Sequence, residues 1–149
     1  MTDTARVVLT AAVLAASALI MFAWRLKRIE PGAPERLIGE LRLAQWAALL
    51  LAATGGASIG LAVGNDAIPL GTLDITLGVA IIVVAGTVLI SEPQPALLLV
   101  AVGFVAHALI DIAHRPGWLA PELVPRWYIV GCAVWDVYVA AVCFWSRRR

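Results

Sequence analysis

Five long apolar segments constrain this chain more than any other feature of its sequence. Each is close to the roughly 20 apolar residues that a helix needs to cross the hydrocarbon core of a bilayer. The hydrophobic share is 62% and the charged share 14%, whereas soluble domains are about half apolar and a quarter charged. The sequence therefore predicts an all-α polytopic membrane protein, in which residues 1–149 form a single membrane domain. The predicted spans are residues 7–24, 43–63, 69–90, 96–114 and 127–145.

The distribution of basic residues predicts the orientation of these helices. Positive charge near the end of a span stays cytoplasmic. An outside N-terminus and a cytoplasmic C-terminus would leave only Arg6, Arg115 and Arg126 in outer segments. The first span precedes its basic cluster, the reverse of a cleavable signal peptide, so we expect it to be retained. The predicted cytoplasmic basic residues are Arg25, Lys27, Arg28, Arg36, Arg42, Arg147, Arg148 and Arg149.

The longest polar connection, residues 25–42, separates the first two spans. Pro31, Gly32 and Pro34 interrupt it, and charged residues then alternate with apolar ones. This pattern is typical of a short amphipathic turn on the membrane surface. A solvated loop with a single helical turn is the simpler interpretation.

Small residues at four-residue spacing mark the second span. Gly56 and Gly60 form a G-x-x-x-G pattern, with Ala53 and Ala57 beside them. Such spacing lets helices approach closely. We expect it to serve packing within the chain, and dimerisation is the alternative.

Cysteine spacing and net charge each exclude one possibility. Cys132 and Cys143 are about 16 Å apart along one predicted helix, beyond the roughly 4.4–6.8 Å Cα spacing of a disulfide. No intrachain bridge is expected. The formal net charge of +1 provides no general basic field, so nucleic acid is not an expected partner.

Polar residues inside the spans concentrate in the fourth and fifth. His107, Asp111 and His114 stand at i, i+4 and i+7, which on a helix confines them to an arc of roughly 60°. Cys132 and Asp136 are again four apart, so a helical hairpin would turn a second polar stripe toward the first. The sequence predicts one shared site between these two helices.

The predicted orientation brings these groups to a common depth in the outer half of the bilayer. His114 would lie at the outer interface, with Asp111 about 4.5 Å and His107 about 10 Å below it. Asp136 and Asp74 would lie roughly 14 Å and 7 Å beneath the starts of their own spans. An ionised acid near the membrane centre costs about 2.5–3.5 kcal/mol, so such residues usually face the bundle interior and mark a site. Asp74 is close enough to a helix end to snorkel to the interface instead.

A bound metal would explain three acids and two histidines at one depth. Imidazole nitrogen and carboxylate oxygen suit Zn, Cu or Fe, and the ion would offset the buried carboxylates. We expect His107, Asp111, His114, Asp136 and Asp74 to form the metal site, with Asp136 as a ligand or the catalytic general base. The alternative is a hydrogen-bonded clamp, in which His107 pairs with Asp136 and Asp111 orients His114. A proton path is a further alternative.

The stretch from Val105 to Asp136 resembles two protein families. The series H-x3-D-x2-H, a proline-containing loop and C-x3-D from His107 to Asp136 resembles a group of small bacterial integral membrane proteins of uncharacterised activity. That resemblance implies a multi-pass protein of the bacterial inner membrane and no particular substrate. The V-A-H ending at His107, with R-P-G-W from Arg115, is similar to the β polypeptide of bacterial light-harvesting complexes, and would make His107 a bacteriochlorophyll ligand. The spacing here is one residue longer, Asp111 occupies the pigment face, and that family has a single span.

Two classes of function remain open on the sequence. In a membrane enzyme, a metal-bound water would attack a lipid-like substrate, while bound copper or iron would indicate oxidation. In a non-enzymatic accessory subunit, the same residues would hold a cofactor, a pigment or a partner helix. Membrane lipids are expected partners, together with a homo-oligomer or a larger membrane complex.

Overall fold

Five α-helices make up nearly all of the chain that the computed structural model describes, residues 3–64, 71–114, 118–119 and 126–147. All five are long and apolar enough to cross a membrane. This confirms the predicted all-α class, and the five candidate spans support a multi-pass membrane protein. In chain order the helices are α1 (Asp3–Lys27), α2 (Pro34–Val63), α3 (Gly71–Leu89), α4 (Pro93–Ala113) and α5 (Arg126–Arg147).

Several predicted features lie outside the described residues. They are the turn after Gly64, the start of the third span at Pro69, the prolines of the loop between α4 and α5, and the last two arginines. Within that loop Trp118 is largely exposed, whereas Leu119 is buried. The Leu119 N–H donates to the Ala113 carbonyl at 3.3 Å, so this short piece folds back onto the end of α4.

A tight turn leads from α1 into α2. The Ala33 N–H donates to the Glu30 carbonyl at 3.2 Å, and Gly32 has a φ of +94°, which the third position of a type II turn requires. Pro34 then begins α2 in its first turn, where the missing N–H of proline costs no hydrogen bond.

The second span starts earlier than predicted, because the residues expected to form a surface turn or loop continue α2 as helix. Arg36 and Glu40 are both buried, and Arg36 Nε donates to Glu40 Oε1 at 3.1 Å. Arg36 also donates through Nη1 to the Ile29 carbonyl at 3.3 Å, and the Gln94 side-chain amide donates to Glu40 Oε2. An ion pair four residues apart satisfies both charges, so this polar turn can be buried as part of a long helix.

Both basic clusters lie at the same end of the bundle. The Lys27 ammonium is 5.5 Å from the centre of the Trp145 ring, which brings the ends of α1 and α5 together. Arg147 Nε donates to the Gln94 carbonyl at 3.1 Å and ties α5 to the start of α4. We call Arg36, Glu40, Gln94 and Arg147 the basic-end cluster. Which side of the membrane this end faces stays a prediction.

Reporter fusions test that orientation. A reporter fused after Arg149 is expected in the cytoplasm, and one inserted between Arg115 and Arg126 outside, because positive charge is retained on the cytoplasmic side. Alkaline phosphatase, active only outside, and a fluorescent protein, fluorescent only inside, report the two locations. Finding both sites on one side would contradict the predicted topology and the common depth derived from it.

A close backbone approach joins α2 and α3 through Gly55 and Gly78, not through the predicted G-x-x-x-G pair. A Cβ added to either glycine would lie 2.8 Å from the carbonyl oxygen of the other. Gly56 and Gly60 have open space at the Cβ position and are exposed. The prediction that they pack helices within the chain is therefore wrong. Gly56 follows Gly55 by one residue, which is a rotation of about 100° around the helix axis. This rotation is enough to turn the G-x-x-x-G face of α2 away from α3.

An apolar core separates the basic-end cluster from the polar residues of α4 and α5. Leu51 reaches close to Gly103, where an added Cβ would lie 2.6 Å from Leu51 Cδ2. The fully buried Phe104 lies on the next turn below His107. The other large buried members of this core include Leu43, Val88, Leu97, Val100, Val139 and Cys143.

Candidate metal centre

Three of the predicted site residues meet between α4 and α5. His107 Nδ1 lies 2.7 Å from Asp136 Oδ2 and 3.7 Å from Asp111 Oδ2. One ligand atom from each residue lies within 4.8 Å of the other two, and all three residues are buried. We call them the His–Asp cluster. Its composition and size fit a single metal ion.

Helix geometry explains why these residues converge. His107 and Asp111 are one turn apart, so their side chains lie on the same face of α4, one above the other. Packing of α5 against that face brings in Asp136, whose side chain is fully buried. The predicted pairing of His107 with Asp136 is present, and the stripe on α4 faces the bundle interior as the cost of burying charge requires.

Ser58 on α2 is a polar neighbour that the sequence analysis missed. Its Oγ lies 3.3 Å from His107 Nε2 and 3.2 Å from the Thr54 carbonyl. A hydroxyl that donates to the carbonyl four residues earlier is common for serine in a helix, so Ser58 does not stand out in the sequence as a site residue. Because its one hydroxyl proton is donated to Thr54, Ser58 Oγ accepts a hydrogen bond from His107 Nε2–H.

Two carboxylate oxygens of the His–Asp cluster have no hydrogen-bond partner within the described chain. They are Asp111 Oδ2 and Asp136 Oδ1, and both are buried. Leaving a buried acceptor unsatisfied costs about 1–3 kcal/mol, and more for a charged group. A cation held between these carboxylates would satisfy both oxygens.

The distances within the cluster bracket those of a tetrahedral metal site. With bonds of about 2.0–2.1 Å, two tetrahedral ligands lie roughly 3.3–3.4 Å apart. His107 Nδ1 is closer than this to Asp136, at 2.7 Å, and farther from Asp111, at 3.7 Å. A metal would therefore replace the proton shared by His107 and Asp136, with the distance to Asp136 growing by roughly 0.6 Å and the distance to Asp111 shrinking by roughly 0.3 Å.

The other two predicted site residues form a separate pair at the end of the bundle. His114 Nε2 lies 3.0 Å from Asp74 Oδ1, and His114 Nδ1 lies 3.0 Å from the Ile110 carbonyl. Both ring nitrogens of His114 therefore face oxygen atoms of the protein. We call Asp74 and His114 the end pair.

The end pair changes two expectations about single residues. Asp74 is buried against His114, so it does not snorkel to the interface. Asp111 does not orient His114 as the clamp interpretation expected, because Asp74 and the Ile110 carbonyl occupy both ring nitrogens. A metal-binding role for the end pair is therefore a question separate from the His–Asp cluster.

Cys132 lies one helical turn from Asp136, on the side away from the core. Its thiol is half-buried, and Tyr128 lies one helical turn before it on α5. The predicted second stripe on α5 is present, but its cysteine borders the His–Asp cluster and is not a member of it. Cys143 is buried in the apolar core, and both cysteines are free thiols.

No protein-family model, curated protein or solved structure matches this chain. The two resemblances named from the sequence therefore stay predictions. A fold alone does not define an activity, so the function has to be argued from the chemistry of the His–Asp cluster.

Proposed function

We propose that this multi-pass membrane protein binds one divalent transition metal, Zn, Cu or Fe, through His107, Asp111 and Asp136, and acts on a lipid-like substrate. The observation that carries the proposal is the convergence of three ligand atoms within 4.8 Å inside apolar helices. Two carboxylates and a neutral imidazole carry a charge of −2 when both acids are ionised. A divalent ion bound in the site would cancel the charge of the two carboxylates there. This would remove most of the free-energy cost of keeping the acids within the membrane.

Three protein ligands favour a catalytic role over a structural one. Structural zinc sites close all four positions with protein ligands, whereas catalytic sites use three and leave the fourth for water or substrate. The metal would supply an activated water or a Lewis acid. Asp136 could alternatively serve as the general base through Oδ1, which has no partner among the described residues, but the metal would then keep only His107 and Asp111 as ligands from this cluster.

A second candidate function is a non-enzymatic accessory subunit, in which the same residues only hold the helices together. The observation in its favour is the pair of direct contacts, 2.7 Å between α4 and α5 and 3.0 Å between α3 and α4. A pigment-binding variant is disfavoured. Both ring nitrogens of His107 already face protein partners, Asp136 and Ser58, and an axial ligand role would displace one of them.

Metal analysis combined with a double replacement separates the metal site from the clamp. We expect the purified parent protein, after loading with Zn²⁺ and desalting, to retain one equivalent of Zn²⁺. Mass spectrometry of the metal content measures this. His107→Leu with Asp136→Leu should remove that equivalent while the helices still assemble, since replacing both partners leaves neither of them orphaned.

A parent protein that folds but retains no Zn²⁺, Cu²⁺ or Fe²⁺ would contradict the metal proposal. In that case a double variant as stable as the parent would support the clamp. Circular dichroism and size-exclusion chromatography on the same samples show whether the variant still assembles.

A further inference from the structure

A half-enclosed cavity of about 520 Å³ lies between α1, α2 and α5. This volume is within the range of roughly 300–1,000 Å³ that is typical of small-molecule sites. Small side chains on α1 and α2 leave the space open, and aromatic rings of α5 border it. Residues lining it include Ala12, Ala15, Ala53, Ala57, Gly131 and Trp135. We call it the α1 cavity.

The α1 cavity fits a hydrocarbon chain better than any polar ligand. Its walls are almost entirely apolar, and apolar cavities stay dry. It opens between helices that would face lipid in a membrane bundle, so the abundant apolar molecule there is a lipid chain. Beyond one end of the lining residues, the Tyr138 hydroxyl donates to the Ala16 carbonyl at 2.8 Å and links α5 to α1. A chain in the cavity would lie along the half of α5 that carries Cys132.

The few polar side chains in the wall lie next to the His–Asp cluster. Thr54 and Cys132 both line the cavity. Thr54 is one turn from Ser58, which contacts His107 Nε2 at 3.3 Å. Cys132 is one turn from Asp136. The polar part of the wall and the candidate metal centre are therefore neighbours, since they share α5 and Ser58 links α2 to His107.

We infer that the α1 cavity binds the hydrocarbon chain of a single-chain amphiphile and places its polar group at Thr54 and Cys132, beside the His–Asp cluster. The chain-binding site stands on the cavity alone. Its assignment as a substrate site rests on the proposed metal-dependent function. Trp127 and Tyr128, which also line the cavity, are of the kind that favour the membrane interface.

Photo-crosslinking tests the inference on the full-length protein in nanodiscs. The probe is palmitate carrying a diazirine near its methyl end, and crosslinked peptides are identified by mass spectrometry. We expect crosslinks on the cavity-lining turns of α1, α2 and α5. Ala12→Phe and Ala15→Phe, each made singly, should reduce them about tenfold or more, since even one extra methylene in an apolar pocket changes binding by 10–200-fold.

Ala141→Phe is the matched control. Ala141 lines a different apolar groove, between α4 and α5, so the same change in size should leave crosslinking in the α1 cavity unaltered. Crosslinks spread evenly over the lipid-facing surfaces of all five helices, or an equal loss in Ala141→Phe, would overturn the inference.

Metal content measured on the same samples separates the inference from the proposed function. Ala12→Phe lies on a helix that contributes no ligand, so its metal content should equal that of the parent. Selective crosslinking in a parent protein without metal would uphold the chain-binding site and refute the metal-dependent function. Unselective crosslinking in a metal-loaded parent would refute the chain-binding site and uphold the metal site.

Discussion

We expect His107→Ala to abolish stoichiometric metal binding, because losing one of the three proposed ligands removes both a bond and the geometry. Asp111→Ala and Asp136→Ala should have the same effect. Ser58→Ala should have a smaller one, since Ser58 contacts only the second ring nitrogen of His107, and loss of such outer partners typically costs about 10–100-fold in affinity. Isothermal titration with Zn²⁺ and metal analysis after desalting measure both effects.

The end pair provides the matched control for this series. Asp74→Asn and His114→Gln are also changes to buried polar residues within apolar helices, but both residues lie outside the three-residue group. They should keep one equivalent of metal and lower stability by an amount typical of membrane polar contacts, about 0.6 kcal/mol and rarely above roughly 1.7. Loss of metal in Asp74→Asn as complete as in His107→Ala would contradict the three-ligand assignment.

Glu40→Ala is expected to produce the largest loss of stability among single replacements at the basic end. It leaves the Arg36 guanidinium buried without its carboxylate, and breaking a buried ion pair on one side typically costs about 3–5 kcal/mol. Removing both charges, by Arg36→Met with Glu40→Leu, should recover most of that loss because no unpaired charge remains. Unfolding in mixed micelles of increasing denaturing detergent measures these differences.

An exposed ion pair on α1 offers the comparison for this experiment. Asp3 and Arg6 lie 3.7 Å apart on the surface, where such pairs contribute little, so Asp3→Ala should leave the unfolding midpoint unchanged. If Glu40→Ala behaves like Asp3→Ala, the basic-end cluster does not stabilise the bundle.

The sequence predicted the helices well because an apolar span is a local property, readable from about 20 consecutive residues. It also predicted that His107 and Asp111 share a face, since that follows from their spacing within one helix. The pairing of His107 with Asp136 needed only the further assumption that two helices joined by a loop pack side by side.

Features that depend on helix rotation or on distant partners could not be predicted in this way. The choice between Gly55 and Gly56 as the packing residue is set by the face that α2 turns toward α3. Ser58 reaches His107 only because α2 packs beside α4. Burial of Arg36 and Glu40 depends partly on Gln94, far away in the chain, and a polar turn read in isolation predicts a loop.

Apolar packing around Phe104 separates the His–Asp cluster from the basic end of the bundle. The polar residues alone do not show this difference between the two ends. With Val100 and Val139, Phe104 fills the bundle between His107 and the basic end, and this apolar packing is fully buried. Moving a charge from the His–Asp cluster through this packing would carry the cost of burying it among apolar side chains. Exchange of ions or protons at the cluster would therefore favour the compartment at the end of the bundle opposite the basic end.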